Sequence, residues 1–422
     1  MGTSEVGRTE ELAALLAIDW ADQKHVWTLQ VAGSSNRQRG ELNATPEAVD
    51  AFIGELQGRF PDGLIAVGLE QKRGALLCQL SKYPRLVLYP IHGASVNNLR
   101  KTLHPSGAKS DAVDADLVMD LLVHHRGHLR RLDPDTVETR KLQSLVEDRR
   151  KLVDNQTAYV EQLTAKLKLY FPQALRWLPD LRSPMSAEFL QRWPTLERLQ
   201  KARLDTIRKF FQQHHCRSKE LLQLREEEIP KAVVATQDPA IVDSSIAMVQ
   251  SLLDTIQVLR KHIAEFDRQI AATAAIHPDL PIVKSLPGAG EVLEPRLLAA
   301  LGTNRNRFRN ASELQVVSGI APVKEASGKS EWTHFRYACS KFLRQSFHEW
   351  AGHSIGFSRW AKAYYDHLTQ EKDKGHQAAV RALAFKWLRI LFRCWKDKVP
   401  YDEQKYIEAL RRRGSPLAAA LE

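Results

Sequence analysis

The chain has 422 residues, 43% of them hydrophobic and 26% charged. That balance excludes a wholly disordered chain and allows two or three domains at about 150 residues each. Lys and Arg number 61 against 50 Asp and Glu, giving a formal charge of +11 and a pI near 9.4, an excess that favours a polyanionic partner, nucleic acid or an acidic membrane surface. No apolar run approaches the roughly 18 residues of a membrane span. The opening stretch with Glu5, Arg8, Glu10 and Glu11 does not read as a secretory signal. Cys78, Cys216, Cys339 and Cys394 lie far apart and read as reduced thiols of a cytosolic protein, and the histidines form no zinc-binding pattern.

Residues 14 to 130 alternate strand-like and helix-like stretches. Leu15-Leu16-Ala17-Ile18 is a short apolar run ending in Asp19; His25 to Ala32 and Arg39 to Asn43 read as two further strands. Thr45-Pro46-Glu47 combines a cap, a Pro at the first helical position and an early acid, opening a helix to about Gln57. Leu64 to Leu69 is a buried-strand run ending in Glu70. A short helix from Ala75, a strand from Arg85 to Pro90, and helices from Ala94 and Asp111 follow. Three hairpin-like strands followed by alternating strands and helices suggest an α/β RNase H-like sheet.

From about Val137 long helices take over. Val146, Val153, Val160 and Leu167 fall seven apart, and Val249, Leu252, Ile256, Leu259, Ile263, Phe266 and Ile270 form a heptad seam. The expected structure is an antiparallel coiled-coil arm with a helical insertion at about 172–243. The divisions that follow are 1–132, 133–280, a mainly α unit at 281–410, and a frayed tail at 411–422.

Four carboxylates could carry chemistry. Asp19 and Glu70 each end a predicted core strand, and Asp111 and Asp114 sit three apart on one predicted helix face. Adjacent carboxylates repel one another, and a hard divalent cation such as Mg²⁺ relieves that cost. Taken singly, Asp19 also reads as a strand-end cap and Asp111 as a helix cap. Ser285-Leu286-Pro287-Gly288-Ala289-Gly290 before a helix resembles half of a helix-hairpin-helix, in which Gly288 and Gly290 would let a phosphate approach. Arg305, Arg307 and Arg309 surround Phe308, a pattern suited to phosphate contact and base stacking. Gly319 to Ser330 reads as a loop of small and polar residues, with no local base to activate its serines.

The order of these motifs resembles one family. "LLAID", "LIAVGLE", "KSDAVDAD", "SLPGAGEV" and "GIAPVKEASGKS" follow one another as in the DEDD/serine transposases of bacterial insertion sequences, which include the bridge-RNA-guided recombinases. The similarity covers roughly 14–130 and 283–400. It departs at Gln71-Lys72-Arg73-Gly74, where members more often have small residues.

The resemblance implies a RuvC-like domain whose metal ligands are Asp19, Glu70, Asp111 and Asp114, with Mg²⁺ as cofactor, and a C-terminal domain whose nucleophile is Ser327, with Ser330 as the alternative. It implies a covalent serine–DNA intermediate, donor and target DNA as substrates, a non-coding guide RNA, and dimers that pair into tetramers. It also leaves open whether Ser327 meets the carboxylates of its own chain or of a partner protomer. The nucleic-acid contacts would come from Lys109, Gly288, Gly290, Arg305, Arg307, Arg309, Lys329, Arg336, Lys341 and Arg344. No GxxxxGK[ST] motif is present, as expected for a reaction that needs no ATP. A location in the bacterial cytoplasm, at the nucleoid during action, follows. Two rivals remain: a metal-dependent nuclease or Holliday-junction resolvase using water, and a non-enzymatic nucleic-acid scaffold.

Overall fold

The run Leu12–Asp19 is apolar on both sides of the strand, so it belongs in the middle of a sheet covered on both faces. In the computed structural model, which describes residues 11–70, 74–104, 110–216, 218–328, 330–419 and 421, it is strand β1 (Leu12–Asp19) of a five-stranded sheet. β2 (Lys24–Val31) pairs antiparallel with β1, and β3 (Arg37–Asn43) antiparallel with β2. β4 (Leu64–Leu69) and β5 (Leu86–Pro90) run parallel to β1, for the order β3-β2-β1-β4-β5.

Side-chain alternation divides β1 between two cores. Ala14, Leu16 and Ile18 pack against α1 (Pro46–Arg59) and α2 (Ala75–Leu80); Leu15 and Ala17 pack against α3 (Gly93–Leu103) and α4 (Asp111–His125). The Thr45 hydroxyl accepts from the Ala48 amide, at 3.3 Å, with Pro46 opening the helix as its sequence predicts. A second set of contacts ties α4 to the antiparallel strands: Asp116 accepts from Thr28 Oγ1 at 3.0 Å and from Arg39, and Asp120 from Arg37.

The chain divides into two units, Met1–Pro134 and Asp135–Glu422. The second begins with α5 (Val137–Tyr170), 34 residues or about 50 Å of helix. Among the described residues, α6 (Ala174–Trp177), α7 (Pro184–Arg192), α8 (Leu196–Gln200), α9 (Leu204–Gln213) and α10 (Lys219–Glu228) follow. Then α11 (Pro239–Ala275) returns along α5. Thr139 meets His277, Arg149 meets Asp267 and Gln156 meets the Ile256 carbonyl, so the two helices run antiparallel. Val249, Leu252 and Ile256 are buried against α6–α9, and Ile270 against the C-terminal helices. Between those two covered ends, Leu259, Ile263 and Phe266 are only half-buried.

The rest of this unit comprises α12 (Leu280–Lys284), α13 (Gly290–Leu301), α14 (Ala311–Val317), a hairpin of β6 (Val323–Ser327) and β7 (Ser330–His334), α15 (Lys341–Ser354), α16 (Arg359–Asp366), α17 (His376–Asp397), α18 (Glu403–Arg412) and α19 (Pro416–Ala419). Trp350, Trp360, Trp387 and Trp395 fill its core completely buried. No helix among the described residues is long and apolar enough to cross a membrane.

Candidate functional site

The parallel register of β1 and β4 pairs Ile18 with Leu69, so Asp19 and Glu70 leave neighbouring strands at the same sheet edge. Strands in one sheet lie about 4.8 Å apart. Glu70 lies over the start of α3, where a Cβ on Gly93 would collide with the Glu70 carboxylate; glycine is what allows that approach. Asp111 is the exposed first residue of α4, after the Ser110 cap, which accepts from the Val113 amide at 3.3 Å. Asp114 is different from Asp111: it is 3% exposed, and the Arg100 guanidinium donates to it through Nε at 2.9 Å and through Nη2.

The three-residue spacing therefore puts one carboxylate in solvent and the other against an arginine of α3. Among the described residues, no three His, Cys, Asp or Glu side chains close around a common point as metal ligands do. Asp19 and Glu70, at one end of the sheet, are donors of the type a hard cation prefers, whereas Asp114 is engaged by Arg100 and would have to exchange that cation for a metal. Arg100 escaped sequence reasoning, since "NNLRK" looks like any helix end.

In the C-terminal unit, the stretch expected as a loop is a β-hairpin. Its strands VKEAS and SEWTH are almost wholly exposed and lack apolar alternation, so main-chain pairing and the cross-strand pairs Lys324–Glu331 and Glu325–His334 hold it. Ser327 pairs with Ser330 at the tip, and directly opposed residues share a face. On that face the next pairs are Glu325–Trp332 and Val323–His334. Both serines are exposed, and no base is hydrogen-bonded to the Ser327 hydroxyl among the described residues. His334 is drawn above the ordinary histidine range by its hydrogen bond to Glu325, 2.6 Å away.

The other nucleic-acid candidates separate by environment. Lys109 and Lys329 lie outside the described residues. Gly288, at φ 72°, is packed on α15: a Cβ there would sit 2.8 Å from the His353 carbonyl carbon, so its close approach is to this chain's own backbone and not to a phosphate. Gly290, at the start of α13, faces open space.

Phe308 cannot stack a base. It is 1% exposed and packs edge-on against Trp395, because the apolar side chain of the Arg-Phe-Arg run turns into the core. Arg305 has an internal partner, Asp279, which accepts from its Nη1 at 2.8 Å, and lies over the Trp395 ring. Arg307 lies over the Phe308 ring, whereas the Arg309 side chain is 87% exposed beside Glu313. Lys341 is exposed at the start of α15. Arg336 donates to the Ala321 and Pro322 carbonyls at the hairpin root, and Arg344 lies over the Phe335 ring. Sequence reasoning missed the exposed aromatics here, Trp332 at 46% and Tyr337 at 79%, although "EWTHFRY" interleaves aromatic and basic residues.

Comparison with known proteins covers both regions. A family profile for IS110-type DEDD transposases matches residues 16–172, and one for the transposase IS116/IS110/IS902 family matches residues 280–366. The mini-circle candidate transposase for IS117 from Streptomyces coelicolor is 26% identical over 411 residues, covering 94% of this chain and 97% of that protein. The uncharacterized 43.6 kDa protein of insertion element IS110, from the same organism, is 23% identical with the same coverage of each chain, 94% and 97%. The uncharacterized 42 kDa protein of IS900 from Mycobacterium paratuberculosis is 27% identical, covering 80% of this chain and 83% of its own.

Proposed function

The chain belongs to the IS110/IS116/IS902 family of insertion-element transposases and is a DNA transposase; from that premise we propose that it cleaves and exchanges DNA strands through a covalent bond to Ser327. The observation that carries this reading is the placement of Ser327: exposed at a hairpin tip between the small residues Ala326 and Gly328, within the family-matched segment, with arginines and exposed aromatics toward the root.

Ser327 Oγ attacks the phosphorus of a backbone phosphodiester. An O–P bond to serine forms, one P–O bond to a deoxyribose breaks, the departing sugar oxygen takes a proton, and the serine proton passes to a base. The phosphoserine link conserves the phosphodiester energy, and attack by a sugar hydroxyl of the exchanged strand later frees Ser327. Small neighbours let the phosphate come close, and Lys329 would offset charge on its oxygens.

The N-terminal unit is proposed to be RNase H-like, of the RuvC-like kind, on the strength of its β3-β2-β1-β4-β5 order. Asp19, Glu70, Asp111 and Asp114 would hold Mg²⁺, which when bound neutralises phosphate oxygens and acidifies a coordinated hydroxyl. Around this core we place residues 1–132 as the carboxylate domain, 133–280 as the coiled-coil arm and 281–410 as the serine domain. Donor and target DNA would be chosen by a guide RNA, the working unit would be a dimer that pairs into a tetramer, and the reaction would take place in the bacterial cytoplasm.

The test supplies DNA and guide RNA, digests the protein and seeks a DNA-linked peptide by mass spectrometry. A link at Ser327, absent in Ser327→Ala and unchanged in Ser330→Ala, is expected. The rival reading is a nuclease that uses water; full cleavage by Ser327→Ala without an adduct would establish it.

A further inference from the structure

A cavity of about 210 Å³ opens at the root of the hairpin, lined by Gly319 to Pro322 on one side and by Thr333, His334, Phe335, Arg336 and Arg381 on the other. Arg381 comes from α17, and nothing in its surroundings "AAVRALAF" marks it in the sequence. Its guanidinium lies 4.2 Å from the centre of the Phe335 ring, and that of Arg344 lies 4.6 Å from the same centre. Two cations thus share one aromatic ring, with a third, Arg336, beside it.

Among the described residues, no acid neutralises these cations. Among the described residues, Arg336 donates to the Ala321 and Pro322 carbonyls, and Arg344 to the Arg336 carbonyl and the Cys339 sulfur. Arg381 Nε is buried with no hydrogen-bond partner, and none of the three has a carboxylate within ion-pair distance among the described residues. Two other arginines of this unit, Arg296 and Arg305, do meet acids, Glu349 and Asp279, and the fully buried Arg225 is held by the Trp177 carbonyl. Burial and the neighbouring Arg344 hold Arg381 below the ordinary arginine range, a cost that an incoming anion would remove. The apolar walls formed by Ile320, Ala321, Pro322 and Phe335 keep the local dielectric low, which strengthens attraction to an anion in the cleft.

We propose that this cavity is a binding site for a backbone phosphate of the DNA strand that Ser327 attacks, with Arg381 as its principal donor and Arg336 and Arg344 beside it. The site rests on the serine reading for the identity of its strand, and its position along the hairpin suits that role. Thr333 and His334 stand three and four residues from Ser330, the partner of Ser327. At about 3.3 Å per residue the cavity lies about 10–13 Å from the serines. Projected on a duplex axis at about 3.4 Å per base step, that is three to four steps. Arg381 is then a positioning residue: it holds the strand in register while a different residue reacts.

The test measures affinity of the 422-residue chain for a fluorescein-labelled duplex DNA and a duplex RNA of the same sequence, across a salt series. Arg381→Gln should weaken DNA binding about tenfold at low salt and make the slope of log affinity against log salt shallower by about 0.9. Arg381→Lys, which keeps the charge and loses the fork, should retain the slope, and matched thermal unfolding of the two variants separates binding from folding. Unchanged DNA affinity and slope in Arg381→Gln would overturn the site, and so would a loss confined to the RNA probe. A wild-type protein that forms no Ser327 adduct, together with an Arg381→Gln variant that loses the slope, would defeat the serine chemistry while leaving the phosphate site standing.

Discussion

The first turn of α4 and the root of the β6–β7 hairpin handle charge in opposite ways. On α4, Asp114 is matched to Arg100, Asp116 to Arg39, and Asp120 to Arg37. At the hairpin root, Arg336, Arg344 and Arg381 have no acid within ion-pair distance among the described residues. A charge paired inside the chain is already stabilised and resists release to a ligand, whereas an unpaired cation near the surface gains by meeting a polyanion. The comparison explains why the arginines nearest the serine are better candidates for DNA contact than Arg305, which spends its charge on Asp279.

The largest effect should come from breaking the buried pair on α4. Asp114→Ala leaves Arg100, whose side chain is 13% exposed, without its partner and should cost about 3–5 kcal/mol of stability in denaturant titration. Adding Arg100→Ala should recover part of that loss, because the stranded charge goes with it. A double-variant loss equal to the sum of the Asp114→Ala and Arg100→Ala losses would mean that the pair is not coupled.

Arg305→Gln comes next, at about 2–3 kcal/mol, since Gln keeps one donor for Asp279 but forfeits the ion pair and the stacking on Trp395. Its salt slope for DNA should match the wild type; a shallower slope would return Arg305 to the phosphate contacts. Trp332→Ala tests the exposed side of the comparison. Stability should stay within about 0.5 kcal/mol, while affinity for single-stranded DNA falls by about 1–2 kcal/mol if the ring stacks on a base.

Much of the N-terminal sheet was legible because β1 and β4 are uninterrupted apolar runs ending in acids, and only a central parallel strand needs both faces apolar. The hairpin was not, because VKEAS and SEWTH pair by main chain and charge, signals that small polar loops share. Spacing placed Asp111 and Asp114 together, yet could not tell that Arg100 takes one of them while solvent takes the other. The Arg-Phe-Arg run misled for a related reason: whether Phe308 faces solvent depends on Trp395, which lies far along the chain. Arg381 was invisible because its partners are assembled by the fold, with Phe335 and Arg344 arriving from the segment after β7 and from α15.

The smallest effects are in pH dependence, where two histidines of the C-terminal unit should act with opposite sign. Burial lowers the pKa of His277 below its ordinary value. Its Nδ1 accepts from the Asp279 amide at 3.1 Å, so the neutral ring carries its proton on Nε2, toward Thr139 Oγ1. Below about pH 6.5 the unfolded chain takes up a proton that the folded ring resists, and stability falls as the solution is acidified. His277→Asn, which supplies an acceptor near the Nδ1 position and does not titrate, should flatten that acid-side loss in thermal unfolding.

His334 runs the other way, because Glu325 favours its charged form and raises its pKa. Its contribution is fully present below the unfolded value of about 6.5 and disappears as pH rises through the higher folded value. The pair is exposed, so the change should be confined to the hairpin. Amide protection of β6 and β7, taken relative to β1 and β4 at each pH, should decline through that window in the wild type. In His334→Gln it should already be low and stay level. A wild-type hairpin whose relative protection holds constant across the window would show that main-chain pairing alone sustains it, and that the cross-strand charge pair adds nothing to the platform carrying Ser327.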